Sequence, residues 1–213
     1  MSQVLAGNLC CMNKGKNCNH PQKGSSIKVH PIRHAKNIQA IKVLLKDHPR
    51  NLCLFTMGIN TAYRAGEFLS LTVGQVTHLH VSDRLELKQD KNKKYRAITL
   101  NKITSNALQN WLAVHPLRHN PSAPLFLSQR DSTSLVVASV NHLVKKWCDE
   151  ICLSGNYGSH TLRKTWGYHQ RVYHHVSVAL LMKAYGHQSE AQTLEYLCIQ
   201  ADEIQAIYLN MEL

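Results

Sequence analysis

One stretch of this chain alternates apolar and polar residues as a half-buried strand requires: THLHVSDRLELKQDKNKKYRAITL, residues 77 to 100. Short alternating runs lie on either side of SDR and of the polar DKNKK tip, which predicts a small three-stranded antiparallel meander. Before and after it, apolar residues fall at helical spacing instead. Ile38, Ile41, Leu44 and Leu45 recur along HAKNIQAIKVLLKDHP, and Pro49 follows the expected helix end. NLCLFTMGINTAYRAGEFLSL reads as a second helix, a break around Ala65 and Gly66, and a short third helix. KITSNALQNWLAVHP is helical, APLFLS is a short extended piece, and SLVVASVNHLVKKWCDEICL is a long amphipathic helix. From His160 onward the chain is helical again, punctuated by Gly186. One small sheet among helices, without strand–helix–strand alternation, predicts an α+β fold that is mainly helical and excludes a Rossmann-type fold.

The first 33 residues show no hydrophobic period and are rich in Asn, Lys, Gly, Ser and Cys. Residues 1–33 are therefore expected to be a flexible basic arm, and 34–213 a single folded domain. Lys and Arg number 25 against 13 Asp and Glu, a formal charge of +12, which points to a polyanionic partner, most often nucleic acid. No apolar run is long enough to span a bilayer, and the start lacks the basic-then-apolar order of a secretory signal, so a cytoplasmic location is expected. The scattered cysteines read as reduced thiols. Cys10, Cys11, Cys18 and His20 have the composition of a zinc knuckle but no common zinc spacing, and HExxH is absent, so no metal or cofactor is expected.

Four separated segments place a cation or nucleophile where chemistry could use it. Arg64, in AYRAGEFLSL, sits at the expected helix break, free to reach a ligand or to pair with Glu67. The hairpin tip QDKNKKYR gathers cations that repel one another unless solvent or phosphate surrounds them. His160 and Arg163 share one face near a helix N-terminus, where the backbone dipole already favours an anion. His187 follows the glycine that ends a helix, and Tyr196 lies in the next helix among Leu194, Leu197 and Ile199, where a core role competes with a chemical one. With few acids for paired-carboxylate metal sites, phosphoryl chemistry here would rest on arginine, lysine and histidine to neutralise charge.

These segments, in this order, resemble the tyrosine recombinase (phage integrase) family. RAGEFLSL matches the family's R-x-S-E-L-x-x-L box, a lysine on a β-hairpin follows, HTLR matches its H-x-x-R box, and GH precedes a tyrosine placed like Tyr196. The resemblance covers roughly residues 35 to 213 and implies the catalytic-domain fold of that family, small sheet included. It implies that Tyr196 is the nucleophile and forms a 3′-phosphotyrosyl link, that Arg64 and Arg163 grip the non-bridging oxygens, and that His187 hydrogen-bonds the same phosphate. His160 becomes the general base or positioning partner for the tyrosine. The hairpin alignment puts the proton donor for the leaving 5′-oxygen on Lys91, with Lys93 and Lys94 open to it through a shift of register.

The activity implied is site-specific recombination of double-stranded DNA, without metal or ATP. The implied assembly is a homotetramer, with the C-terminal segment carrying Ile204, Ile207, Tyr208 and Met211 docked in trans or packed within its own chain. Nucleoid association would follow from DNA binding. A type IB-like topoisomerase and a non-catalytic DNA-binding regulator are the competing expectations. Gly66 stands where the family usually has Ser, Tyr63 where it has Leu, and RKTWGYH, with Trp166, replaces RHTFATH; none removes a catalytic side chain. The first 33 residues are too short for the separate DNA-clamping domain most members carry, so a compact form is expected.

Overall fold

Six consecutive residues of one helix, Cys53 to Gly58, are buried, so this helix packs on every side and stands at the centre of the molecule. The computed structural model describes residues 28–88, 95–131, 133–198, 204–205 and 208–210. The helices are α1 (Ala35–Leu44), α2 (Pro49–Asn60), α3 (Ala65–Leu69), α4 (Val73–Val76), α5 (Lys102–Ala113), α6 (Val137–Glu150), α7 (Ser159–Val172), α8 (Val178–Tyr185) and α9 (Glu190–Leu197). Central α2 packs against α5 and α7, α7 also against α6, and α8 against α9. Asn101, Ser177 and Ser189 cap α5, α8 and α9 by accepting from the backbone of Thr104, Leu180 and Gln192. Gly186 closes α8 in the left-handed region (φ 65°), which lets the His187 N–H return to the Met182 carbonyl at 3.0 Å.

Two corrections to the sequence expectations arise around the sheet. The described residues form two antiparallel strands rather than three: β1 (Arg84–Lys88) and β2 (Tyr95–Thr99), paired from Arg84 with Thr99 to Lys88 with Tyr95. The expected first strand is spent on a helix end. The Thr77 N–H and hydroxyl donate to the Val73 carbonyl at 3.0 and 2.7 Å, the Leu79 N–H reaches Val76 at 3.1 Å, and the Asp83 carboxylate accepts the His80 N–H. The second correction concerns the break after α2, which falls at residues 61–64, so Gly66 lies inside α3. Glu67 decides this: its carboxylate accepts the Arg64 N–H at 2.6 Å and starts α3 there.

The main core runs from Ile32 and Ile41 through α2 to Trp147 and Leu162. A second, smaller cluster joins Ala62, Leu181, Tyr185 and Leu197, flanked by Trp166 and Tyr196. Residues just ahead of 34 are docked on α7. Ile32 is buried, its N–H donates to Thr165 Oγ1 at 2.8 Å, and His169 Nε2 lies 3.0 Å from its carbonyl. Burying one such side chain contributes about 1.5–3 kcal/mol. At the other end Ile204 and Tyr208 are exposed, whereas Ile207 and Met211 lie outside the described residues. No helix among the described residues is long and apolar enough to cross a membrane.

Candidate active site

The seam between the two clusters gathers five side chains singled out in the sequence, delivered by α3, α7, the α8–α9 loop and α9. Arg64 is the N-cap of α3, and its guanidinium meets Glu67 Oε1 at 3.1 Å. Arg163, on α7, is 2% exposed. Its Nε donates to the Ala62 carbonyl at 2.5 Å and its Nη2 to the Tyr185 carbonyl at 2.6 Å, leaving Nη1 free of these two acceptors. The guanidinium carbon stands 4.7 Å above the Tyr185 ring and 5.7 Å from the Tyr196 ring.

Tyr196, on α9, points its hydroxyl at His160 one turn earlier on the Arg163 face of α7, at 3.3 Å from Nδ1. Its ring lies edge-on to His187 and Tyr185, with centroids 5.2 and 5.1 Å away. Burial pushes the Tyr196 hydroxyl above the usual tyrosine range, while the charges of Arg163 and Arg64 and a hydrogen bond from Arg163 pull it down. The hydroxyl is therefore neutral near pH 7 and needs a base before it can attack. His160 suits that role because burial first, then the charges of Arg163, Lys164 and Arg64, lower its pKa and favour the neutral imidazole. His187 is lowered further, to about 4, by burial and by Arg163, Arg64 and Arg96. Its Nδ1 is held 3.0 Å from Thr193 Oγ1, which fixes the ring.

Two contributors were not singled out in the sequence. Lys164 is buried beside the tyrosine: its ammonium lies 4.9 Å over the Tyr196 ring and donates to Cys198 Sγ at 3.2 Å. Arg96, on β2, is also buried and binds Glu67 Oε2 at 3.2 Å. Strand alternation carried a signal for Arg96, since it pairs with buried Leu87 and so belongs to the inward face. The clustering of cations at the hairpin tip masked that signal. Lys91, Lys93 and Lys94 lie outside the described residues, as do Cys10, Cys11, Cys18 and His20. His169, the other histidine of α7, is spent on the Ile32 carbonyl and on stacking against Tyr173. Among the described residues no three His, Cys, Asp or Glu side chains gather as a metal site.

Arg64 and Arg163 thus stand close to a tyrosine whose hydroxyl faces a neutral histidine, with Glu67 and the buried Arg96 behind Arg64, a clustering of positive charge of the kind that suits an oxyanion. The phage integrase family model matches residues 22–203. The probable integrase/recombinase YoeC of Bacillus subtilis (strain 168) is 31% identical over 183 residues, covering 84% of this chain and 95% of that protein. The tyrosine recombinase XerC of Caldanaerobacter subterraneus subsp. tengcongensis is 27% identical over 157 residues, 73% of this chain and 43% of XerC. Among solved structures, the XerA recombinase matches with a TM-score of 0.68 at 16% identity, over 88% of this chain and 66% of XerA. XerH, captured after cleavage on a palindromic difH substrate, matches with a TM-score of 0.65 at 22% identity, over 86% of this chain and 54% of XerH.

Proposed function

This chain belongs to the phage integrase family and is a site-specific tyrosine recombinase, and we propose that it breaks and rejoins double-stranded DNA through Tyr196. Tyr196 Oη passes its proton to His160 Nδ1 and attacks the scissile phosphorus. The bond from phosphorus to the 5′-oxygen breaks, that oxygen takes a proton from Lys91, and a 3′-phosphotyrosyl link and a 5′-hydroxyl remain. The phosphoester energy is retained in the link, so a 5′-hydroxyl from a second duplex reverses the step and completes exchange without ATP. Arg64 and Arg163 hold the non-bridging oxygens, where forked guanidinium donors match the charge of a crowded phosphorane. His187 hydrogen-bonds the same phosphate. This reading is carried by one observation: the Tyr196 hydroxyl sits 3.3 Å from Nδ1 of a histidine whose lowered pKa favours the neutral form, beside the arginine cluster.

XerH was captured bound to DNA, and the net charge of +12 fits the same partner here. The working assembly is a tetramer on two duplexes in the cytoplasm, associated with the nucleoid. The exposed Ile204 and Tyr208 of the C-terminal segment support docking on a neighbouring subunit. The catalytic domain spans 34–213, with the residues just before it docked on α7. The test is a duplex nicked close to the scissile phosphate, so that cleavage traps the enzyme. A covalent protein–DNA adduct that disappears in Tyr196→Phe is expected, with a junction product on intact sites. An adduct persisting in Tyr196→Phe, or relaxation without strand exchange, overturns the reading.

A further inference from the structure

We propose that Arg96 is a positioning residue that locks the two halves of the site together and keeps Arg64 available to the phosphate; the proposal rests on the reading of Arg64, Arg163 and Tyr196 given above. Arg96 Nη1 donates to the Ala62 carbonyl at 3.0 Å and Nη2 to the Tyr185 carbonyl at 2.8 Å. Arg163 donates to the same two carbonyls from the other side of the seam, at 2.5 and 2.6 Å. Each carbonyl has two lone pairs, so one pair of oxygens serves both guanidiniums. Ala62 stands two residues before Arg64, and Tyr185 two residues before His187. The double clamp therefore sets the distance between the segment that carries Arg64 and the segment that carries His187, with Arg163 held between them.

Arg96 acts on Arg64 through Glu67 as well. The carboxylate is 6% exposed and divides its oxygens, Oε1 to Arg64 at 3.1 Å and Oε2 to Arg96 at 3.2 Å. Shared in this way, one negative charge only partly satisfies Arg64, whose side chain is 36% exposed. Without Arg96, Glu67 would be a buried carboxylate with Arg64 as its remaining cation, and would draw that guanidinium away from the DNA. A forked donor is needed because three acceptors on three segments are met from one planar group; a lysine ammonium cannot span them in that geometry.

The experiment uses the full chain and the nicked suicide duplex, with single-turnover cleavage at saturating DNA, DNA affinity and thermal unfolding measured for each variant. Arg96→Met is expected to slow cleavage by ~10²-fold, the cost of a misplacement of about an ångström, with DNA affinity unchanged. Arg96→Met/Glu67→Gln is expected to recover roughly tenfold of that rate, because neutral glutamine releases Arg64 while still accepting the Arg64 N–H. Wild-type cleavage by folded Arg96→Met, or a double variant no faster than the single, overturns the proposal. If Arg96→Met does not fold, Arg96→Lys decides: slowed cleavage at unchanged affinity supports the clamp, and an unchanged rate overturns it. Failure of the underlying reading shows differently, as a wild-type adduct that survives Tyr196→Phe, and removes both together.

Discussion

His160 Nδ1 faces the Tyr196 hydroxyl at 3.3 Å, and the two side chains reach each other from α7 and α9 across a separation of 36 residues. The burial that makes the tyrosine reluctant to ionise also disfavours the imidazolium, so one environment favours the neutral form of both side chains. His160→Ala is expected to slow adduct formation by ~10²–10⁴-fold, the usual contribution of a positioned general base. The pH profile separates this role from packing. As pH falls through the lowered pKa of His160, the base is protonated and wild-type cleavage should decline. In His160→Ala that acidic limb should vanish; a variant that keeps it would assign the limb to another group.

His187 supplies a stability test independent of DNA. Its folded pKa is near 4, below the ordinary 6.5, because burial and then Arg163, Arg64 and Arg96 disfavour the imidazolium. The unfolded chain therefore binds the proton more readily. The resulting stability is fully present above the ordinary histidine value and is lost as pH falls toward the folded one. Urea midpoints recorded between pH 7 and pH 4 should fall less steeply for His187→Gln than for the parent. Parallel curves would mean that His187 does not titrate across folding.

How much of this was legible beforehand depended on whether a residue's role is local. His160 and Arg163 could be read because a helix face is fixed by spacing three apart, and Glu67 could be placed beside Arg64 for the same reason. Arg96 could not, because its partners Ala62 and Tyr185 lie 34 and 89 residues away and no local pattern encodes them. The third strand failed for a related reason. Alternation in THLHVS is genuine, yet Thr77 and Leu79 find helix carbonyls nearer than any strand partner. Lys164 stood next to Arg163 in plain view, but only the fold of α9 brings the Tyr196 ring under its ammonium.

Gly167 is where α7 makes room for the second cluster. An alanine there would gain about 1 kcal/mol of helix propensity. Its Cβ, however, would fall 1.7 Å from Tyr185 Oη and 2.8 Å from Leu197 Cδ2. Tyr185 cannot retreat cheaply, since its hydroxyl donates to the Arg163 carbonyl at 3.0 Å and its ring stacks on His187 at 4.9 Å. Overpacking should therefore win, destabilising Gly167→Ala by ~1–3 kcal/mol in thermal or urea unfolding. Cleavage should slow as well, because Leu197 adjoins Tyr196 on α9. A variant as stable as the parent would show that α7 and α8 can separate without loss.

Tyr63 replaces the leucine usual in the family, and the structure gives the hydroxyl a specific task. The side chain is fully buried, and its oxygen lies 2.8 Å from the Leu85 carbonyl on β1 and 3.0 Å from the Arg96 carbonyl on β2. Burial raises its pKa well above the ordinary tyrosine value, so the proton stays in place as a donor shared between both strands. Tyr63→Phe keeps the ring and removes only that donor, and should cost about 0.5–1.5 kcal/mol in urea denaturation. The same hydroxyl holds the strand that carries Arg96 against the segment leading to Arg64. Cleavage at saturating DNA should therefore slow in Tyr63→Phe even at temperatures where the variant is fully folded. Lost stability with an unchanged cleavage rate would separate the sheet's contribution to folding from its contribution to the site.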